Sequence, residues 1–248
     1  MILTVGFGKG GTGKTSTAIA LANYARTQGK RVLLIDCDPQ GNASFALSAN
    51  TAAPGLYAVL TQQIQVTHAI QHTQQMDVVS AGRDLAGAEM ALTNMPGRDF
   101  IIKQAIAPVR EQYDLIVFDT QPALNLLLFN ALTASDTVIL PMQANSFAFL
   151  GLYQMQMTIE RIQQTTNPGL TIAGILLVRF KPRQTLANDL RNEIEAQAHA
   201  MRTKVFNTYI RESVTVEQAQ ALQQSLFEYA PNKPVTNDYK ALYEELGL

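Results

Sequence analysis

Residues 6–18, GFGKGGTGKTSTA, set two lysines, Lys9 and Lys14, among glycines and hydroxyls directly after a short apolar run. Within them Gly8-x-x-x-x-Gly13-Lys14-Thr15 satisfies the phosphate-loop pattern G-x-x-x-x-G-K-[ST]. Glycines let successive backbone N–H groups converge on phosphate oxygens, and a helix that follows presents its positive end to the same anion. In such a loop Lys14 reaches the β- and γ-phosphates and Thr15 can ligate Mg2+, which points to a bound nucleoside triphosphate. Two further stretches carry acids suited to the same chemistry. RVLLIDCDPQGNAS ends an apolar run in Asp36 and Asp38, and YDLIVFDTQP ends another in Asp119. Carboxylates at the carboxyl ends of parallel strands beside a phosphate loop stand where Mg2+ and an attacking water must be held.

The elements that would position these groups are legible as alternation. Ile2–Phe7, Arg31–Cys37, Met76–Ser80, Leu115–Asp119, Thr137–Pro141, Leu170–Val178 and Lys204–Ile210 are rich in β-branched and aliphatic residues and mostly continuous in their apolarity, as strands buried on both faces are. Helical stretches lie between and after them, at about 14–28, 98–112, 122–134, 147–166, 185–201, 214–223 and 235–246. Strand and helix in repetition predict an α/β fold, a single doubly wound domain over 1–248 with a mostly parallel sheet covered by helices on both faces. Residues 48–75, rich in Ala, Thr and Gln, read as a surface excursion of short helices.

Composition narrows the function classes. Of 248 residues, 47% are hydrophobic and 16% charged, which excludes a disordered chain. One cysteine, Cys37, excludes an internal disulfide or a thiolate cluster and suits the cytoplasm. No stretch reaches the roughly 18 uninterrupted apolar residues of a membrane span. The net charge of −1 hides an asymmetry: residues 161–211 carry 8 Lys and Arg against 3 acids, whereas 212–248 carry 2 against 6. The basic stretch is a candidate polyanion surface, with a solvated helix face as the plainer alternative. His68 and His72 stand at i,i+4 spacing without a third ligand nearby in sequence and read as surface histidines.

The segment Lys9-Gly10-Gly11-Thr12-Gly13-Lys14-Thr15 resembles the deviant Walker A motif KGGxGK[ST] of the ParA/MinD ATPases, and DCDPQGN resembles a segment characteristic of the ParA/Soj branch. The similarity runs on through SDTVILPMQANSFAFLGL, GILLVRFKPR and the C-terminal region. It implies a P-loop ATPase with ATP and Mg2+ as cofactors, weak intrinsic hydrolysis and an ATP-bound homodimer. Residues 9–16, ending in Ser16, would surround the phosphates, and Lys9 would be the signature lysine that crosses to the partner subunit's nucleotide. By the same resemblance Lys14 holds the β/γ-phosphates, Thr15 binds Mg2+, Asp38 positions the hydrolytic water and contributes to the metal site, and Asp119 supports Mg2+ through water. Asp36 would stand behind them, and Arg179 would contact the base. The chain departs from the family at Gln121-Pro122, where a Pro-Pro pair commonly follows the Walker B acid.

What the resemblance implies about partners is a DNA-partitioning ATPase for plasmid or chromosome segregation. Its ATP dimer would bind double-stranded DNA without sequence preference, as a nucleoid-associated protein, and hydrolyse ATP when stimulated by a ParB-like centromere-binding adaptor. Arg183 matches a position that contributes to DNA binding in Soj-like relatives, and Lys181, Arg191, Lys204 and Arg211 are its basic neighbours. In IRESVTVEQ, Glu212 and Thr215 stand where many relatives carry arginines. The alternative is a MinD-like or protein-cargo ATPase cycling on a membrane or another scaffold. The acidic ending TNDYKALYEELGL argues against the membrane, because anionic lipid repels it. The apolar strand begins at residue 2, which predicts no N-terminal helix-turn-helix and no operator reading by the chain alone.

Overall fold

The computed structural model describes residues 1–145, 148–182 and 184–248. Its centre is β1 (Ile2–Val5), β2 (Val32–Cys37), β5 (Leu115–Thr120) and β6 (Thr137–Met142), flanked by β4 (Asp77–Val79) on one side and β7 (Thr171–Leu177) on the other. With β3 (Ile70–His72) at the edge, the strands form one seven-stranded sheet in the order β3-β4-β2-β5-β1-β6-β7. All neighbours pair parallel except β3 and β4. The apolar runs are buried on both faces because successive side chains serve opposite layers. Leu3, Leu34, Val117 and Ile139 pack toward α1 (Lys14–Thr27) and the C-terminal helix α12 (Pro234–Leu246), where Tyr24 meets Phe227 and Tyr243 at 5.0 Å between ring centroids. Ile35, Ile116 and Phe118 face the opposite layer, which includes α6 (Ile101–Ile106) and α7 (Leu126–Ala134). On the same side, Val138, Leu140 and Ile175 pack under α8 (Ala148–Thr165) and α9 (Thr185–Ala200).

Three elements differ from the sequence reading. The segment Lys204–Ile210 makes only isolated bridges to the sheet among the described residues, Ile175 with Val205 and Val178 with Ile210. Between them the Glu245 carboxylate of α12 accepts the Asn207 and Thr208 N–H groups at 2.9 Å each, so these donors serve a side chain rather than a ladder. Phe206 lies across Gly174, where a Cβ would stand 2.7 Å from the ring, so close an approach that only glycine serves. Residues 98–112 do not form one helix. Two 3-10 turns, Arg98–Phe100 and Arg110–Gln112, flank α6, and Pro108 lacks the N–H that would continue it. The excursion at 48–75 contains the expected short helices, α3 (Leu56–Leu60) and α4 (Val66–Ala69), but also β3, which pairs antiparallel with β4 and closes that edge.

A phosphate loop above three buried carboxylates

The loop leaves β1 at the carboxyl edge of the sheet and turns into α1 through Gly11 and Gly13, at φ +71° and +73°. L-residues with a Cβ rarely take that conformation, so the glycines here set the path of the chain. Lys14 opens the helix and is 6% exposed. Its Nζ donates to the Lys9 carbonyl at 2.8 Å, which holds the ammonium beneath the loop. Lys9 itself is half-buried, with Nζ 3.4 Å from the Asn145 Oδ1, and Gln143 donates to the Gly11 carbonyl at 2.9 Å. Residues just before α8 thus brace the outer side of the loop.

Strand register brings the acids together. β2 and β5 are neighbours with Asp36 opposite Asp119, and Asp119 is also paired with Val5, the last residue of β1. Asp36 is fully buried and accepts from the Asp38 N–H at 3.0 Å and from the Ser44 N–H and hydroxyl at 2.8 and 2.7 Å. Asp38, 7% exposed, accepts from the Gln40 N–H at 2.9 Å, which shapes the turn into α2 (Asn42–Ala46). Asp119 is fully buried, and neither of its oxygens has a hydrogen-bond partner. Burial foremost, and then the Asp36 charge, pushes the Asp119 carboxyl well above its ordinary range. Burial likewise raises Asp36 despite its three donors. Burial pulls the Lys14 ammonium down, against the nearby Asp119 and Asp38 charges that favour it. The Thr15 hydroxyl and the Lys14 ammonium favour the charged form but do not offset the burial, and a buried carboxylate so weakly served is suited to a cation with its water shell.

Among the described residues no three His, Cys, Asp or Glu side chains form a self-contained metal site. Mg2+ usually takes one or two protein oxygens and completes its shell with phosphate and water. Thr15 and Asp119 fit such a role: a hydroxyl at the helix start and an unpartnered carboxylate beside it. His72 is committed to Asp77 at 2.7 Å on the surface.

The loop floors a cleft of about 510 Å³. Gly10 to Ser16 and Asp38 line it together with Arg179, Phe45, Glu217 and Gln220. Arg179 stands at φ +52° just beyond β7 and donates to Glu217 at 3.1 Å across the opening. Glu217, Gln220 and Ala221 belong to α10 (Val214–Ala221), and Gln220 reaches the Ser16 hydroxyl at 3.3 Å. No sequence signal marks these residues, because 204 positions separate Gln220 from Ser16 and only the fold joins them. Phe45, 56% exposed, is equally silent in sequence until α2 is seen to carry it to the cleft.

The basic candidates behave differently. Lys181 pairs with Glu212 at 2.8 Å, Arg191 with Glu195 at 2.8 Å and Lys204 with Glu245 at 3.6 Å. Arg211 meets Asp238 through two guanidinium nitrogens at 2.7 and 2.8 Å. Three of these four acids come from 212–248, so the charge asymmetry along the chain closes on itself as ion pairs in the fold. Arg183 lies outside the described residues.

A glycine loop between β1 and α1, over carboxylates at the ends of adjacent parallel strands, defines a P-loop nucleotide-binding protein. An AAA domain family model matches residues 1–172. The chain is similar to the chromosome partitioning protein ParA of Myxococcus xanthus, 33% identical over 99% of this chain and 87% of that protein. It is likewise similar to the sporulation initiation inhibitor protein Soj of Bacillus subtilis, 35% identical over 96% and 95%. The Mycobacterium smegmatis cobyrinic acid a,c-diamide synthase, solved with a bound ATP analog and magnesium, superposes with a TM-score of 0.87 at 29% identity, covering 98% of this chain and 92% of that one. A Cyanothece McdA–ATP complex shares the fold at a TM-score of 0.88 and 22% identity, covering 100% and 96%. The chain belongs to the ParA/Soj family of deviant Walker A P-loop ATPases.

Proposed function

We propose that the chain, as one domain over 1–248, is a partitioning ATPase that couples ATP binding to dimerisation and DNA binding, and ATP hydrolysis to release. The observation that carries this reading is the buried Lys14 ammonium facing Asp38 and Asp119 beneath the loop, with both Asp119 oxygens unpartnered. The relatives named for chromosome partitioning, and the neighbour solved with an ATP analog and magnesium, support it.

The residues divide the work by position. Backbone N–H groups of Gly10 to Ser16 surround the phosphates, and Lys14 exchanges its bond to the Lys9 carbonyl for the β- and γ-phosphate oxygens. Thr15 and Asp119 would hold Mg2+, whose chemistry when bound would be to neutralise charge on the phosphoryl oxygens. Asp38 orients the attacking water through the carboxylate that the Gln40 N–H now fixes. Lys9 turns from Asn145 toward the partner subunit's phosphates, so that charge is neutralised when two loaded chains meet. Arg179 borders the base.

Lys181, Arg183, Arg191, Lys204 and Arg211 are proposed as DNA contacts, with a ParB-like adaptor as the stimulus for hydrolysis. A second reading, the same cycle on a scaffold other than DNA, is favoured by one observation: every described member of that basic set is already ion-paired. No helix among the described residues is long and apolar enough to cross a membrane. Light scattering on the eluting protein, in Mg2+ with ATP or ADP, tests the nucleotide switch. Dimers with ATP and monomers with ADP are expected, and one oligomeric state under both conditions overturns it.

A further inference from the structure

Gln75 is a buried glutamine in the turn that joins β3 to β4, far in sequence from every motif of the nucleotide cleft. Its backbone is fixed by the Thr73 hydroxyl, which accepts the Gln75 N–H at 3.2 Å. Its side-chain amide makes three bonds to three separate parts of the chain. Oε1 accepts from Asn23 of α1 at 2.9 Å, and Nε2 donates at 3.0 Å both to the Ala46 carbonyl and to the Gln223 carbonyl. Gln223, at φ +56° just past α10, completes the link by donating from its own Nε2 to the Phe45 carbonyl at 2.9 Å.

The three segments so tied are walls of one cleft. α1 carries Lys14, Thr15 and Ser16, α2 carries Phe45 and Ala46, and α10 carries Gln220 and Ala221. Ala46 is at once an acceptor of the Gln75 amide and a lining residue. A leucine or methionine would fill a core site at lower desolvation cost, so an amide with both N–H groups committed to carbonyls specifies distance rather than packing. The phosphate loop has further contacts of its own, with Lys14, Gln143 and Thr17 donating to its carbonyls.

We propose that Gln75 is a positioning residue, setting the spacing of α2 and α10, the cleft walls outside the loop itself, and through it the affinity for the nucleoside part of the ligand. The inference rests on the nucleotide reading above. It separates two ligands that share one phosphate chain. Gln75→Leu, which keeps bulk and removes both donors, weakens ATP binding about tenfold while leaving inorganic tripolyphosphate within about twofold, because a lost buried hydrogen bond is worth about that factor. Gln223→Asn tolerates the left-handed backbone but is too short to reach the Phe45 carbonyl, and weakens ATP about threefold in the same selective way.

The experiment is calorimetric titration of wild type and both variants with ATP and with tripolyphosphate, each with Mg2+. Selective loss of ATP affinity is expected. Equal loss of both ligands, the mark of a merely structural role, or no loss of either, overturns the proposal. Should Gln75→Leu not fold, the exposed Gln223→Asn decides on the same criterion. Wild-type protein that binds neither ligand overturns the nucleotide reading itself, and this inference with it.

Discussion

Exchanging the two loop lysines one at a time separates a cation built into one chain from a cation meant for another. Lys14→Met keeps the buried stem and removes the charge. The wild-type ammonium is already desolvated at 6% exposure and held 2.8 Å from the Lys9 carbonyl, so it meets phosphate with little reorganisation. Each charge-assisted bond is worth about 1.5–3 kcal/mol, and bonds to two phosphates sum to about 3–6 kcal/mol. The expected loss of ATP affinity is therefore roughly a hundredfold to ten-thousandfold. Lys9 is half-buried and faces Asn145 at 3.4 Å, on the side of the loop braced by the segment before α8. Lys9→Ala should change the monomer's affinity by less than about threefold, within what a solvated contact is worth, and abolish ATP-dependent dimerisation. Fluorescent-nucleotide titration at low protein concentration, followed by light scattering at high concentration, reads both. Comparable affinity losses in the two variants, or a Lys9→Ala protein that still dimerises with ATP, would refute the division of labour between the lysines.

Other expectations concern the carboxylates and the paired surface. Asp38→Ala should bind ATP, form the dimer and release phosphate at least tenfold more slowly, a rough value for losing a group that orients the water; native turnover removes Asp38 from that role. Asp119 has a raised carboxyl pKa, so the unfolded chain loses its proton first and the stability of the apo protein falls as pH rises above the ordinary value of 3.8. Asp119→Asn should therefore raise the apo Tm more at pH 8 than at pH 5 while weakening Mg2+-dependent nucleotide affinity; a lower Tm at pH 8 contradicts the assignment. Asp114, held down to about 2 by the Arg31 guanidinium and N–H, has the opposite sign. Its contribution is complete above about pH 4 and lost as pH falls toward 2, so Asp114→Asn should flatten the acid limb of a denaturation profile. Glu212→Gln releases Lys181 from its 2.8 Å pair and should steepen the salt dependence of DNA binding by about one phosphate contact, measured by titration across salt concentrations.

How much of this was legible before the fold follows from distance along the chain. Gly8 to Thr15 are contiguous, so the loop, its lysine and its hydroxyl could be read from spacing. Asp36 and Asp119 could each be read as strand ends, but their placement side by side depends on β2 pairing with β5, a matter of sheet order. The cleft walls outside the loop were silent because Phe45, Glu217 and Gln220 come from elements without a shared motif. Apolar periodicity found the buried strands well and failed at Lys204–Ile210, where a glutamate from α12 takes the N–H groups that a ladder would use. Charge was the least transferable signal: Lys181, Lys204 and Arg211 look free in sequence and stand beside Glu212, Glu245 and Asp238 in space.

The most direct test of a nucleotide-gated DNA ATPase is binding of random-sequence duplex DNA in ATP, in ADP and without nucleotide, at two salt concentrations, with wild type and Arg183→Ala. The account expects binding with ATP alone, weakened by salt and by the substitution. Binding that ignores nucleotide, or none in any state, would contradict it and turn the search toward a protein scaffold.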